Sequence, residues 1–167
     1  MKTSLLAAFA TIAAVPAAAD LNVRFLEGAP KDRFVIENSG DCALQNVKLE
    51  IDLDASAAGL ILDTTAAGAG VEVYQPLELV SGRTALAEVP RVQDGDSRMA
   101  LNVRSLGSNA SIEFTIDVDD TKGTKPTMIS GGEIAGAQVR LSGMGDTIEG
   151  TFDTRGVATL ALNACPV

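Results

Sequence analysis

Histidine and tryptophan are both absent from this 167-residue chain, and aromatic residues make up only 4% of it. Without an imidazole there is no Ser-His-Asp or Cys-His relay, and the usual nitrogen ligand for zinc or copper is missing. One tyrosine, Tyr74, and five phenylalanines leave little from which to build a stacking platform for sugars or bases. Positive charge is scarce as well: 13 Lys and Arg stand against 22 Asp and Glu, a formal net charge of −9. Nucleic acid and anionic membrane surfaces both demand a basic patch, so neither is expected as a partner. Cysteine is limited to Cys42 and Cys165. Neither lies in a C-x-x-C pattern or beside a cation, so a catalytic dithiol is not expected. What remains for chemistry is the carboxylates.

The first 19 residues read as a secretory signal peptide. Lys2 supplies the positive start, residues 5–15 are a short apolar run, and Pro16 breaks it. Ala17-Ala18-Ala19 then forms a small-residue cleavage pattern before Asp20. The run falls short of the roughly 20 residues a spanning helix needs, so no membrane insertion is expected. The expectation is an exported protein, secreted or periplasmic, with residues 20–167 as its single domain. Its 148 residues suffice for one core, and without Lys2 the net charge becomes −10. In an oxidising compartment the two cysteines allow one intramolecular disulfide, Cys42–Cys165. Closing a loop of about 120 residues, that bond would contribute on the order of 4–5 kcal/mol in the chain-entropy model. Two free thiols or an intermolecular link are the alternatives.

Period-two alternation is the dominant pattern. Val47, Leu49, Ile51 and Leu53 alternate with Lys48, Glu50 and Asp52, as in a half-buried strand. Ile112, Phe114, Ile116 and Val118 do the same, and so do Ala137, Val139 and Leu141. Weaker runs lie at 21–26, 33–37, 60–62, 71–79, 99–106, 148–152 and 157–162. Glycine-rich turns separate them, and no sustained helical period occurs; residues 55–58 could form one helical turn. Many short strands with frequent turns predict an all-β, Ig-like antiparallel β-sandwich. The four-residue connection 107–110 predicts that strands 98–106 and 111–118 pair as a hairpin.

That hairpin would gather five acids at one end: Asp94 and Asp96 before its first strand, and Asp117, Asp119 and Asp120 at the end of its second. Asp117 and Asp119, two apart, share a face at roughly 6–7 Å. Asp120 begins the next loop, and Gly95 permits a tight turn between Asp94 and Asp96. Register arithmetic sets Asp96 near Asp120 and Arg98 near Asp119. Calcium takes six to eight hard oxygen ligands, and these five aspartates are the candidate metal ligands. The competing reading is a solvated strand end that discourages edge-to-edge aggregation. Asp63 is expected in a solvated turn.

The segments EGAPKDRFVIENSGDCAL (27–44), SAAGLILDT (56–64), AGAGVEVYQP (67–76) and FTIDVDDT (114–121) resemble a group of short exported proteins of alphaproteobacteria. Those proteins are labelled "aggregation factor core" by distant similarity to sponge cell-adhesion proteoglycans. The resemblance covers residues 20–142. It implies a secreted β-sandwich, calcium-dependent adhesion and self-association, and it points to Asp117, Asp119 and Asp120. The expected function is thus a non-enzymatic interaction or adhesion module, calcium-assisted, binding a protein, a cell-surface polymer or its own copies. The alternatives are a metal-independent structural or envelope-subunit domain and, behind it, a carboxylate-dependent secreted hydrolase.

Overall fold

The computed structural model describes residues 19–65, 74–122 and 128–162. Cys165, most of the leader and the first part of the expected strand 71–79 lie outside the described residues. The described chain is an all-β sandwich of two antiparallel sheets. Its strands are β1 (Ala19–Leu26), β2 (Asp32–Asn38), β3 (Leu44–Asp52), β4 (Leu60–Asp63), β5 (Glu78–Ser81), β6 (Arg98–Leu106), β7 (Ser111–Asp120), β8 (Gln138–Met144), β9 (Asp146–Thr151) and β10 (Val157–Leu162). One sheet runs β10-β1-β2-β7-β4, with β5 also paired to β7; the other runs β6-β3-β8-β9.

Alternation is what places these strands. Phe34 and Ile36 of β2 stand opposite Phe114 and Ile112 of β7. Leu49 and Ile51 of β3 stand opposite Leu101 and Met99 of β6, and opposite Leu141 and Val139 of β8. All of these side chains are buried in one continuous core between the sheets. At about 25 cal/mol per Å² of apolar surface removed from water, that shared burial is what makes the two layers cohere. Phe34 sits in it against two rings, stacked on Phe114 at 5.2 Å and edge-on to Phe25 at 5.3 Å.

The expected hairpin does not form. β6 pairs with β3, while β7 pairs with β2, β4 and β5, so the connection 107–110 crosses from one sheet to the other. A short turn serves an arch between sheets as well as a hairpin within one. Alternation fixes which face of a strand is buried but not which strand lies beside it. The crossing has its own anchor in Asn38, which is fully buried. Its Nδ2 donates to the carbonyls of Cys42 at 2.7 Å, Gly107 at 3.0 Å and Leu106 at 3.1 Å.

The helical content also differs from expectation. Residues 55–58 lie in turns and a bend, and among the described residues the helical segments are a 3-10 turn, Arg83–Ala85, and one α-helical turn, α1 (Gly131–Ile134). Its start is marked by Ser130 and Glu133, the S-x-x-E spacing of a capping box, with the Ser130 N–H donating to the Glu133 carboxylate at 2.7 Å.

Candidate carboxylate site

One end of the sandwich collects acids from four separate segments. β4 runs along the last residues of β7, with Asp63 opposite Asp117 and Ile61 opposite Asp119. Partners in register share a face, so Asp63, Asp117 and Asp119 lie on the same side of the sheet. Asp120 is the last residue of β7 and stands opposite the core residue Leu60, on the other face. The 93–97 loop docks onto β4 through two backbone bonds, Leu62 N–H to the Asp96 carbonyl and Gly95 N–H to the Leu62 carbonyl, both 2.9 Å. Gly95 takes a φ of 80° there, a left-handed turn that glycine adopts without strain.

This docking sets the orientation of the two loop acids. Asp94 Oδ1 accepts the amides of Thr64 and Thr65 at 2.7 and 2.9 Å, which holds its carboxylate against the end of β4. Asp96 turns back on its own loop, where Oδ2 accepts the Gln93 amide at 2.7 Å. Arg98, expected near Asp119, instead bonds Asp52 at 3.1 Å and also Asp54. The cause is the sheet assignment of β6, whose register with β3 sets Arg98 directly opposite Asp52.

Asp63 is the residue the sequence reading missed. It is fully buried rather than in a solvated turn, and neither of its carboxylate oxygens has a hydrogen-bond partner. Burial pushes its carboxyl up to about 7, and the Asp94 and Asp119 carboxyls within hydrogen-bonding reach of it push in the same direction. Two carboxyl groups can bond only if one carries a proton, because an ionised carboxylate has no donor. Asp32, at the start of β2, is raised to about 7, chiefly by burial, with the charges of Asp117 and Asp119 adding to it; a bond from the Gly28 amide at 3.0 Å works against the rise. Asp117 rises to about 6 through burial and the charge of Asp119. The charge of Asp119 thus adds to burial in raising the proton affinity of Asp32, Asp63 and Asp117.

Three of the five expected ligands, Asp94, Asp117 and Asp119, meet at this end of the sandwich, together with Asp32 and Asp63. Among the described residues, no group of three or more acidic or thiol side chains is placed so that it could hold a metal ion. Two surface clefts, of about 290 and 390 Å³, include a single carboxylate between them, Asp54. Cys42 is not a free thiol. None of the helices among the described residues is long and apolar enough to cross a membrane. No family model, curated protein or solved structure matches the chain.

Proposed function

We propose that this chain is an exported, single-domain Ig-like β-sandwich, secreted or periplasmic, that acts as an interaction or adhesion module with calcium ordering its acidic end. The observation that carries this reading is the meeting of Asp94, Asp117 and Asp119 beside Asp32 and Asp63, acids from four segments, with burial penalising the charge of Asp32, Asp63 and Asp117. A divalent cation relieves that penalty and ties the 93–97 loop to β4 and β7. The partner is a protein, a cell-surface polymer or a second copy of the chain, in line with the resemblance to the aggregation factor core group.

Calorimetric titration of metal-free protein with calcium, with thermal melts alongside, tests the reading. A ligand at 100 times its Kd stabilises by about 2.7 kcal/mol, which for a domain of this size raises Tm by several degrees. The absence of both heat and a Tm shift at millimolar calcium would overturn it. A second reading, a metal-independent structural or envelope-subunit domain fastened by Cys42–Cys165, is favoured by Cys42 not being a free thiol. It requires a Tm that ignores chelator and falls sharply with a thiol reductant.

A further inference from the structure

We propose that the end of the sandwich away from the acidic cluster is a redox latch, in which a Cys42–Cys165 bond holds two passages of the chain between the sheets; the proposal rests on the second reading above. Those passages are residues 39–43, between β2 and β3, and residues 107–110, between β6 and β7. Asn38 joins them. Its backbone N–H donates to the Ala110 carbonyl at 3.0 Å, and its own carbonyl accepts the Asn109 amide at 2.8 Å. Its buried side chain donates to the carbonyls of Cys42, Leu106 and Gly107 and accepts the Gly40 amide at 3.2 Å. One residue thus pins the loop that carries Cys42 to the arch between the sheets.

The last strand ends at the same place. Leu162 of β10 stands opposite Ala19, and the neighbouring Asp20 carbonyl accepts the Ser39 amide at 3.0 Å and the Ser39 hydroxyl at 2.8 Å. Cys165 follows Leu162 by three residues, a reach of at most about 11 Å, which keeps it to the end where Cys42 stands. The acids lie at the far end of β7, whose ten residues run from Ser111 beside the arch to Asp120, about 30 Å apart. Cys42 is half-buried, within reach of an attacking thiolate. The thiolate of a dithiol reductant attacks one sulfur of the pair and releases the other cysteine; its second thiol then displaces the remaining one. Two electrons and two protons end on Cys42 and Cys165, and the reductant leaves as a disulfide. The 39–43 loop is then held by its hydrogen bonds to Asn38 and Asp20, a hold that opens locally without unfolding the core.

Amide hydrogen exchange read by NMR on the exported chain, before and after dithiothreitol, tests the latch, with Cys165→Ser as a variant that lacks the bond without a reductant. Thiol labelling of the denatured protein counts the reactive cysteines in each state. None before reduction and two after it are expected. Exchange at the Asn38, Asn109 and Ala110 amides should rise about tenfold or more on reduction, while the Leu62 and Gly95 amides at the acidic end change by less than about twofold. Cys165→Ser should show the loosened pattern in either condition. Unchanged exchange at Asn38, Asn109 and Ala110, or an equal rise at both ends, overturns the latch while leaving the bond standing. Two reactive thiols in the unreduced protein overturn the latch and the second reading together.

Discussion

Asp52 and Asp63 each end a strand, one in each sheet, and both are buried, at 4% and 0% exposure. For both, burial is the largest influence and pushes the carboxyl upward. The outcomes are opposite. Asp52 faces Arg140 at 2.9 Å and Arg98 at 3.1 Å and takes the Asp54 amide at 3.1 Å, and these bonds hold it below the usual carboxylate range. Asp63 has Asp94 and Asp119 against it and rises to about 7. Equal burial thus yields a neutralised structural contact in one sheet and an excess of charge in the other. Partners, more than depth, separate an acid that stabilises the fold from one that awaits a counter-charge.

The largest expected effect comes from removing the charge on the Asp63 side. In chelator at pH 8, Asp63→Asn should be more stable than wild type, because the folded protein no longer has to ionise a buried acid. The rise from 3.8 to about 7 sets an upper bound on the order of 4 kcal/mol. The sign follows from the folded carboxyl holding its proton more tightly than the unfolded one. The penalty is absent below the unfolded value near 4, grows as pH rises toward 7, and is constant above that. Asp32 acts in the same direction over the same window, but it is present in both proteins and cancels in the comparison. Urea denaturation from pH 4 to 8 reads the gap directly. Parallel curves at every pH would mean that Asp63 is no less comfortable than Asp52.

Asp52→Asn should do the reverse, by about 2 kcal/mol, the scale of a charged hydrogen bond lost from a buried group. The loss is moderated because Arg98 keeps Asp54 and Arg140 keeps Glu50 and Glu149. A folded carboxyl below its usual range stabilises at pH values above about 4, and that contribution fades as pH falls through the folded value. The deficit of the variant should therefore shrink in acid, whereas its calcium response should equal that of wild type. A calcium response lost with Asp52 would erase the distinction between the two acids.

The strands were largely legible in the sequence, because a buried face repeats every second residue: Ile112 to Val118 and Val47 to Ile51 lie where alternation places them. Strand neighbours were not. The connection 107–110 gives no sign of crossing between sheets until Asn38, nearly 70 residues away, is seen donating to Leu106 and Gly107. The acids converge at one end even so, since an arch returns the chain to its starting end just as a hairpin does. Asp63 escaped because Leu60 and Leu62 point into the core, which turns Asp63 toward the outer face, where an acid reads as solvated. Its burial comes from the surroundings that the fold assembles, among them Asp94, about 30 residues on. No local pattern encodes that cover.

Asp96 is the control that sharpens the contrast most finely, because it is an acid in the same loop as Asp94 with a different task. Its Oδ2 accepts the Gln93 amide and its carbonyl takes the Leu62 amide, so its side chain closes a turn that a neutral acceptor can also close. Asn preserves that oxygen and is itself a favoured turn residue. Asp96→Asn should therefore shift stability by no more than about 0.5 kcal/mol, as for an ordinary surface substitution, in chelator and in calcium alike. A larger loss confined to calcium would bring Asp96 into the ion's shell and move the site from the β4 and β7 strand ends toward the loop. An unchanged response leaves Asp63, set between Asp94 and Asp119, as the point from which charge at this end of the sandwich is organised.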